Sequence, residues 1–366
     1  MKQYCIICTD FNFGVLKLTS MRKNLILFFC LSILLVDNKL KAQDPQFSQY
    51  YAAPLFLNPA LTGINQMGRA GVNYRNQWPS ITANFETFSA YIDYNFDEKN
   101  SSLGLIVTKD TEGLAGLNST EIGLQYAYQV NLNYKWVFRP AFQASYTTRD
   151  LNFDKLTFGD QFDNTGLVNP ISAEQFNTGL KVSYLDLALG GMWYSKSMWI
   201  GVAAHHIREP NQSVTGGESP LPRKVSVHGG YRIPLRSGFM SKGKTASGAE
   251  RTLSPTFNYR SQGDFDQLDL GVYFTMSPVI FGLWYRGIPL KSPEGGGGNT
   301  ESLIFMMGLT KNKITMGYSF DYTLSKLGIG SGGAHEISIT YTFKGGSPRK
   351  PSREVRELKC PVPFIF

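Results

Sequence analysis

"EIGLQYAYQV", Glu121 to Val130, decides the fold. Ile122, Leu124, Tyr126, Tyr128 and Val130 alternate with Glu121, Gly123, Gln125, Ala127 and Gln129. Successive side chains of a strand point to opposite faces, so this segment has one apolar face and one polar or small face. "KITMGYSFDYT" (313–323) repeats the pattern, with Ile314, Met316, Tyr318, Phe320 and Tyr322 set against Thr315, Gly317, Ser319, Asp321 and Thr323. In "ETFSAYIDYNF" (86–96), Phe88, Ala90, Ile92, Tyr94 and Phe96 oppose Thr87, Ser89, Asp93 and Asn95. Many such segments run about 10 residues or more, the length a tilted strand needs to cross a bilayer. Tyr gathers toward segment ends, as in the aromatic girdles of membrane barrels. A soluble sandwich also has one apolar face, but the segment length argues against it.

Outward from these three, about fourteen segments follow. They are predicted near 68–78, 84–96, 101–110, 119–131, 135–148, 179–194 and 197–207. The rest fall near 223–234, 250–261, 265–275, 278–287, 300–310, 312–323 and 334–343. Tight turns such as "DEKN" (97–100) and "KNK" (311–313) alternate with longer connections at 111–118, 149–178, 208–222, 288–299 and 324–333. An all-β, antiparallel transmembrane barrel of about fourteen strands is therefore expected, with short periplasmic turns and long outer loops. One place strains the alternation: 235–249 is long where a turn is expected, and 261–264 is short where a loop is expected.

Four regions are predicted: a leader over 1–42, an N-terminal periplasmic or lumenal segment over 43–67, the barrel over 68–343, and a basic periplasmic tail over 344–366. Arg22 and Lys23 precede the apolar run "LILFFCLSILLV", and Leu40-Lys41-Ala42 ends the polar stretch after it. These are the parts of a secretory signal peptide, with Met21 the better initiator and Gln43 the expected mature start. The leader carries six Lys/Arg and two Asp/Glu, and so does the tail, so the formal +8 leaves 43–343 neutral. The basic balance is thus an address and a tail, not a nucleic-acid surface. Cys5, Cys8 and Cys30 fall in the leader, leaving Cys360 alone, so no disulfide framework or thiolate metal cluster is expected.

Candidate chemistry is sparse. Ser226 and His228 share one strand face with Lys224 and Arg232, which the alternation assigns to the lumen, and no acid is near in sequence. His205 and His206 lack a third ligand at useful spacing, "EGGGGN" (294–299) precedes no helix, and "GDQFDN" (159–164) lacks a calcium-loop pattern. No catalytic residue, cofactor or metal is assigned. A passive channel for polar or hydrophobic solutes is the second functional reading, and a barrel enzyme ranks far below it.

Before the first strand runs "QFSQYYAAPLFLNPALTG", Gln46 to Gly63, aromatic, uncharged and broken by Pro54 and Pro59. Proline keeps it from pairing as a strand, and its aromatics need a covering surface, so it is expected to pack in the lumen or on a periplasmic partner. Its candidate contact residues are Phe47, Tyr50, Tyr51, Pro54, Leu57, Asn58 and Pro59. In the tail, the apolar close "CPVPFIF" singles out Cys360, Pro361 and Phe364 as docking residues.

"DPQFSQYYAAPLFLNPALTG", "NYRNQWP" (73–79), "YSFDYTLSKL" (318–327), "GGAHEISITYTF" (332–343) and the late Cys-Pro together resemble the PorP/SprF family. Those are outer-membrane proteins of the type IX secretion and gliding machinery of Bacteroidetes. The resemblance implies a non-enzymatic barrel in outer-membrane lipid, acting with secretion components and a large secreted adhesin.

Overall fold

The computed structural model describes residues 44–363 except 66–67, 83, 114–115, 152–155, 157, 164–165, 168, 170–180, 236–250, 289–298, 326–327 and 344–359. The expected leader over 1–42, most of the tail and Phe364 lie outside the described residues.

Fourteen strands form the wall. They are β1 (Gly68–Gln77), β2 (Phe85–Phe96), β3 (Ser101–Glu112), β4 (Leu117–Tyr128) and β5 (Val137–Leu151). Then come β6 (Lys181–Tyr194), β7 (Met198–His205), β8 (Lys224–Tyr231), β9 (Arg251–Gln262) and β10 (Phe265–Met276). The last four are β11 (Val279–Ile288), β12 (Asn299–Lys311), β13 (Ile314–Thr323) and β14 (Ala334–Phe343). Val130–Asn131 and Ile233–Pro234 are two-residue continuations of β4 and β8. Each strand pairs antiparallel with its sequence neighbours, and β1 pairs with β14 from Gly68↔Phe343 to Gln77↔Ala334. The sheet is thereby closed and has no open edge to aggregate.

All fourteen expected segments are strands, displaced by a few residues at their ends. β8 pairs directly with β9 (Lys224↔Gln262 to Gly230↔Thr256), so no strand was misplaced where the alternation of loops faltered. The turn at 263–264 is short because Gly263, with φ 59°, takes the left-handed conformation a tight hairpin needs.

The alternation sorts the wall as expected. Ile122, Leu124, Tyr126 and Tyr128 are exposed on the outside, while Gln125, Ala127 and Gln129 are buried inside. Met316 and Tyr318 point outward, and Ser319, Asp321 and Thr323 inward. Exposed apolar side chains on the outer wall are what lipid covers. No described helix is long and apolar enough to cross a membrane; the strands make the crossing.

One end of the barrel carries the connections at 97–100, 195–197, 277–278 and 312–313; the other carries 206–223 and 324–333. These are called the short-turn end and the long-loop end below.

Candidate functional site: the occupied lumen

The lumen holds a piece of the chain itself. Residues 44–64 run from the long-loop end to the short-turn end before β1 begins, and nearly all are buried. Two prolines shape the path. Pro54 opens α1 (Pro54–Leu57), a single helical turn, and Pro59 opens a 3₁₀ turn over Pro59–Leu61. Proline suits a first helical position because its missing N–H would find no helical partner there. Between them, the Asn58 carboxamide oxygen accepts from Ala60 N at 2.9 Å and caps the second turn. Sequence pattern showed no helix here because one turn is too short to display a period.

The wall grips this segment through its backbone and polar side chains. At the long-loop end, Asp44 accepts from Gln262 Nε2 at 3.0 Å and pairs with Lys224 and His206. Deeper in, Ser48 and Gln49 donate their amides to the Glu336 carboxylate at 2.6 and 3.1 Å. The Ser48 hydroxyl donates to Asp321 at 2.6 Å, and Tyr50 OH donates to Asp269. Midway, Asn58 Nδ2 donates to the Val202 carbonyl at 3.2 Å and lies 3.2 Å from His228 Nε2. Toward the short-turn end, Gln125 Nε2 donates to Leu55 O at 2.8 Å, Arg139 Nε to Ala60 O at 3.3 Å, and Gly63 N to Asp93 at 2.6 Å.

Around Ser48 and Tyr50 the wall supplies Arg75, Arg286 and Arg260 together with Asp269, Asp321 and Glu336. Arg286 bridges Asp269 (2.9 Å) and Asp321 (3.1 Å), Arg75 reaches Asp321 at 2.9 Å, and Arg260 reaches Asp269 at 3.1 Å. Three guanidinium groups balance three carboxylates. Such balance is required, because removing one member of a buried ion pair leaves an uncompensated charge costing several kcal/mol. Arg286 and Arg75 also donate to the Ser48 hydroxyl at 3.0 and 2.7 Å, so the lumenal segment is a member of the network.

His206 ties the Asp44 end down. Its Nδ1 lies 2.6 Å from Asp186 and its Nε2 2.7 Å from Asp44, an imidazole held between two carboxylates. Burial opposes charge on His206, but Asp44 and Asp186 outweigh it and raise its pKa to about 9. Burial likewise works against an ionised Asp44, yet His206 and Lys224 hold its pKa well below the ordinary carboxylate value. Both groups therefore carry charge near neutral pH, as hydrogen bonding at both ring nitrogens requires.

The tail closes the other side. Cys360, Pro361, Val362 and Pro363 are buried, and Cys360 and Val362 join Tyr50, Tyr51, Leu61, Tyr194, Trp199 and Trp284 in one apolar cluster. Trp199 Nε1 donates to Tyr51 OH at 2.9 Å within it.

Of the residues singled out by sequence, Phe47, Tyr50, Tyr51, Pro54, Leu57, Asn58, Pro59, Cys360 and Pro361 meet inside the barrel. Lys224, Ser226 and His228 face the lumen; Arg232 sits half-buried at the break between Tyr231 and Ile233, its amide donating to Ser197 O at 2.7 Å. Ser226 and His228 share a face without a carboxylate on the imidazole: the described partner of His228 is Asn58. Among the described residues, no group of three or more His, Cys, Asp or Glu is placed to hold a metal ion. Sequence reasoning did not single out the charged wall. Arg75, Asp93, Arg139, Asp269, Arg286, Asp321 and Glu336 all occupy inward positions, and that alternation was the available signal.

Between the segment and β8 to β10 remains a cleft of about 60 Å³, lined by Phe47, Phe56, Lys224, Arg260 and Phe265 among others. It has room for a few waters, far less than the roughly 300–1,000 Å³ of a small-molecule site.

Several solved barrels are similar in outline. The toluene transporter TbuX of Ralstonia pickettii is 11% identical, with 80% of this chain and 93% of that chain covered at a TM-score of 0.47. The toluene transporter TodX of P. putida is 9% identical, with coverage of 79% and 93% and a TM-score of 0.41. A FadL homologue of Pseudomonas aeruginosa is 11% identical, with coverage of 80% and 94% and a TM-score of 0.40. No curated protein matches the chain. The model of the type IX secretion system membrane protein PorP/SprF family matches residues 39–341, which span the lumenal segment and nearly the whole wall. The protein is an outer-membrane β-barrel, and the chain belongs to the PorP/SprF family of type IX secretion system membrane proteins.

Proposed function

We propose that this barrel is a non-enzymatic component of the type IX secretion system that assists the secretion or surface attachment of adhesins involved in gliding. The observation that carries the reading is the lumen filled by residues 44–64 and 360–363. A passive channel needs free cross-section, and here the charged wall makes direct hydrogen bonds to the segment that lies within it. A hydrophobic-solute route needs an apolar cavity of solute size, and the cleft described beside the segment is too small for one. What stays available to partners is the rims and loops, which suits a docking component.

The test is affinity isolation of the intact protein from outer membrane in mild detergent, with mass spectrometry of what accompanies it. Recovery of type IX components or one large secreted adhesin is expected. A protein that returns alone and conducts steadily in a planar bilayer would overturn the proposal in favour of a channel.

A further inference from the structure

The neutral body of the barrel hides a separation of charge. At the short-turn end, Lys99, Lys135, Lys196, Arg251, Lys311 and Lys313 are all exposed, on turn tips or terminal strand positions. They follow the perimeter, from the β2–β3 turn through the β4–β5 and β6–β7 turns to the start of β9 and the β12–β13 turn. Among the described side chains of those positions, Glu98 is the one exposed acid. The long-loop end is mixed. There Lys109, Lys181, Arg208 and Arg223 are exposed alongside Glu86, Asp160, Glu209, Glu218 and Asp264.

The same end also carries exposed aromatics. Phe96, Tyr126, Tyr128, Tyr134, Trp193 and Tyr231 are exposed near the same end, and the Lys135 ammonium lies 5.2 Å from the Tyr134 ring centroid. Outward aromatic rings mark the headgroup level of a barrel wall. Lysines next to them lay their stems on apolar surface and put their ammonium groups among the headgroups.

We propose that this ring is a binding surface for anionic phospholipid headgroups in the leaflet at the short-turn, periplasmic end. The ring follows the perimeter, where the outer wall meets lipid, rather than the axis, where a protein stacked on the barrel end would sit. Its spacing over several separate turns suits many small mobile anions better than one rigid acidic partner. Each Lys or Arg near an anionic membrane surface adds about 1 kcal/mol, a factor of roughly five in partition.

The test compares spin-labelled phosphatidylglycerol with spin-labelled phosphatidylcholine at the purified full-length barrel in phosphatidylcholine vesicles, by electron paramagnetic resonance. The wild type should associate with phosphatidylglycerol at least about twofold more strongly at low salt, with the preference fading at about 1 M salt. A Lys99→Gln, Lys135→Gln, Lys196→Gln, Lys313→Gln variant should lose the preference. A variant with Lys109, Lys181, Arg208 and Arg223 changed to Gln at the other end should keep it. Equal association in the wild type, an unchanged preference in the first variant, or loss in the second would overturn the proposal. Should the first variant not fold, the wild-type salt series and the second variant still decide. Loss of a co-purifying acidic protein from the first variant, with the lipid preference intact, would assign the ring to that protein instead and also overturn it.

Discussion

The Ser48 hydroxyl donates a 2.6 Å hydrogen bond to the Asp321 carboxylate, across 273 positions of sequence and inside a cluster of buried arginines. One small hydroxyl thus joins the start of the described chain to its penultimate strand. Ser48→Ala removes it and leaves Arg75, Arg286 and Asp321 each short of one partner. A destabilisation of about 1–3 kcal/mol is expected, because orphaned buried groups bear their full desolvation cost. Heat-modifiability on gels and urea unfolding in detergent measure it. A loss below about 0.5 kcal/mol would mean that water replaces the hydroxyl at no cost.

The wall leaves space for the segment where it has no side chains. A Cβ at Gly190 would overlap Asn58 Oδ1, and one at Gly317 would overlap Gln49 Oε1. Gly190→Val and Gly317→Val should therefore expel or shift the segment at a cost of about 1–3 kcal/mol or more. The outer wall is untouched, so the barrel should still assemble. Limited proteolysis read at residues 44–64 should show new cleavage in both variants, and none would show that the segment can be repositioned inside.

Anchoring of the Asp44 end should depend on pH at both limits. His206 is raised to about 9, so its contribution is complete below the ordinary histidine value and is lost as pH rises through about 9. Asp44 is depressed, so its contribution is present above the ordinary carboxylate value and is lost as pH falls below it. Hydrogen exchange at residues 44–49 should be slowest near neutral pH and quicken toward pH 10, after correction for intrinsic exchange. His206→Gln should remove the alkaline limb and leave the rest of the segment protected.

Cys360 is buried, and burial pushes its thiol up to about 12. At pH 8 the thiolate fraction is then about a thousandfold lower than for an ordinary thiol, and access is closed as well. Maleimide should leave the folded barrel unmodified for hours and label it once in denaturant. Fast labelling of the native protein would mean that the tail tip leaves the lumen in solution.

Filling of the lumen should be visible electrically. The intact barrel is expected to stay closed in planar bilayers, and deletion of residues 44–64 together with 360–366 should open a steady conductance if the wall still closes. Heat-modifiability of the deletion variant checks that closure. A folded deletion variant that remains closed would require another blocking element.

The wall was legible because its signal is repeated fourteen times and depends only on period two. Ile122 and Gln125 differ in environment for a reason visible in ten residues. The path of residues 44–64 was legible in part: Pro54 and Pro59 excluded a strand, and Phe47, Tyr50 and Tyr51 demanded cover. Which surface covers them was not legible, since it depends on Glu336, Asp321 and Asp93, hundreds or tens of positions away. Asp93 and Asp321 stood among inward residues like any serine. Only pairing with Arg69 at 2.7 Å, and with Arg75 and Arg286, separates a charged clamp from a polar lining.

The seam between β1 and β14 gives assembly an order. A closed hoop admits nothing through its side, and the segment meets the final strand directly, with Ser48 and Gln49 on Glu336 and Ser338. The grip on Ser48 and Gln49 is therefore complete only once the last strand is in place, so the earliest part of the described chain is held by the latest strand. Seam and clamp share one strand: a chain truncated before β14 would lack both its closure and the hold on its own beginning.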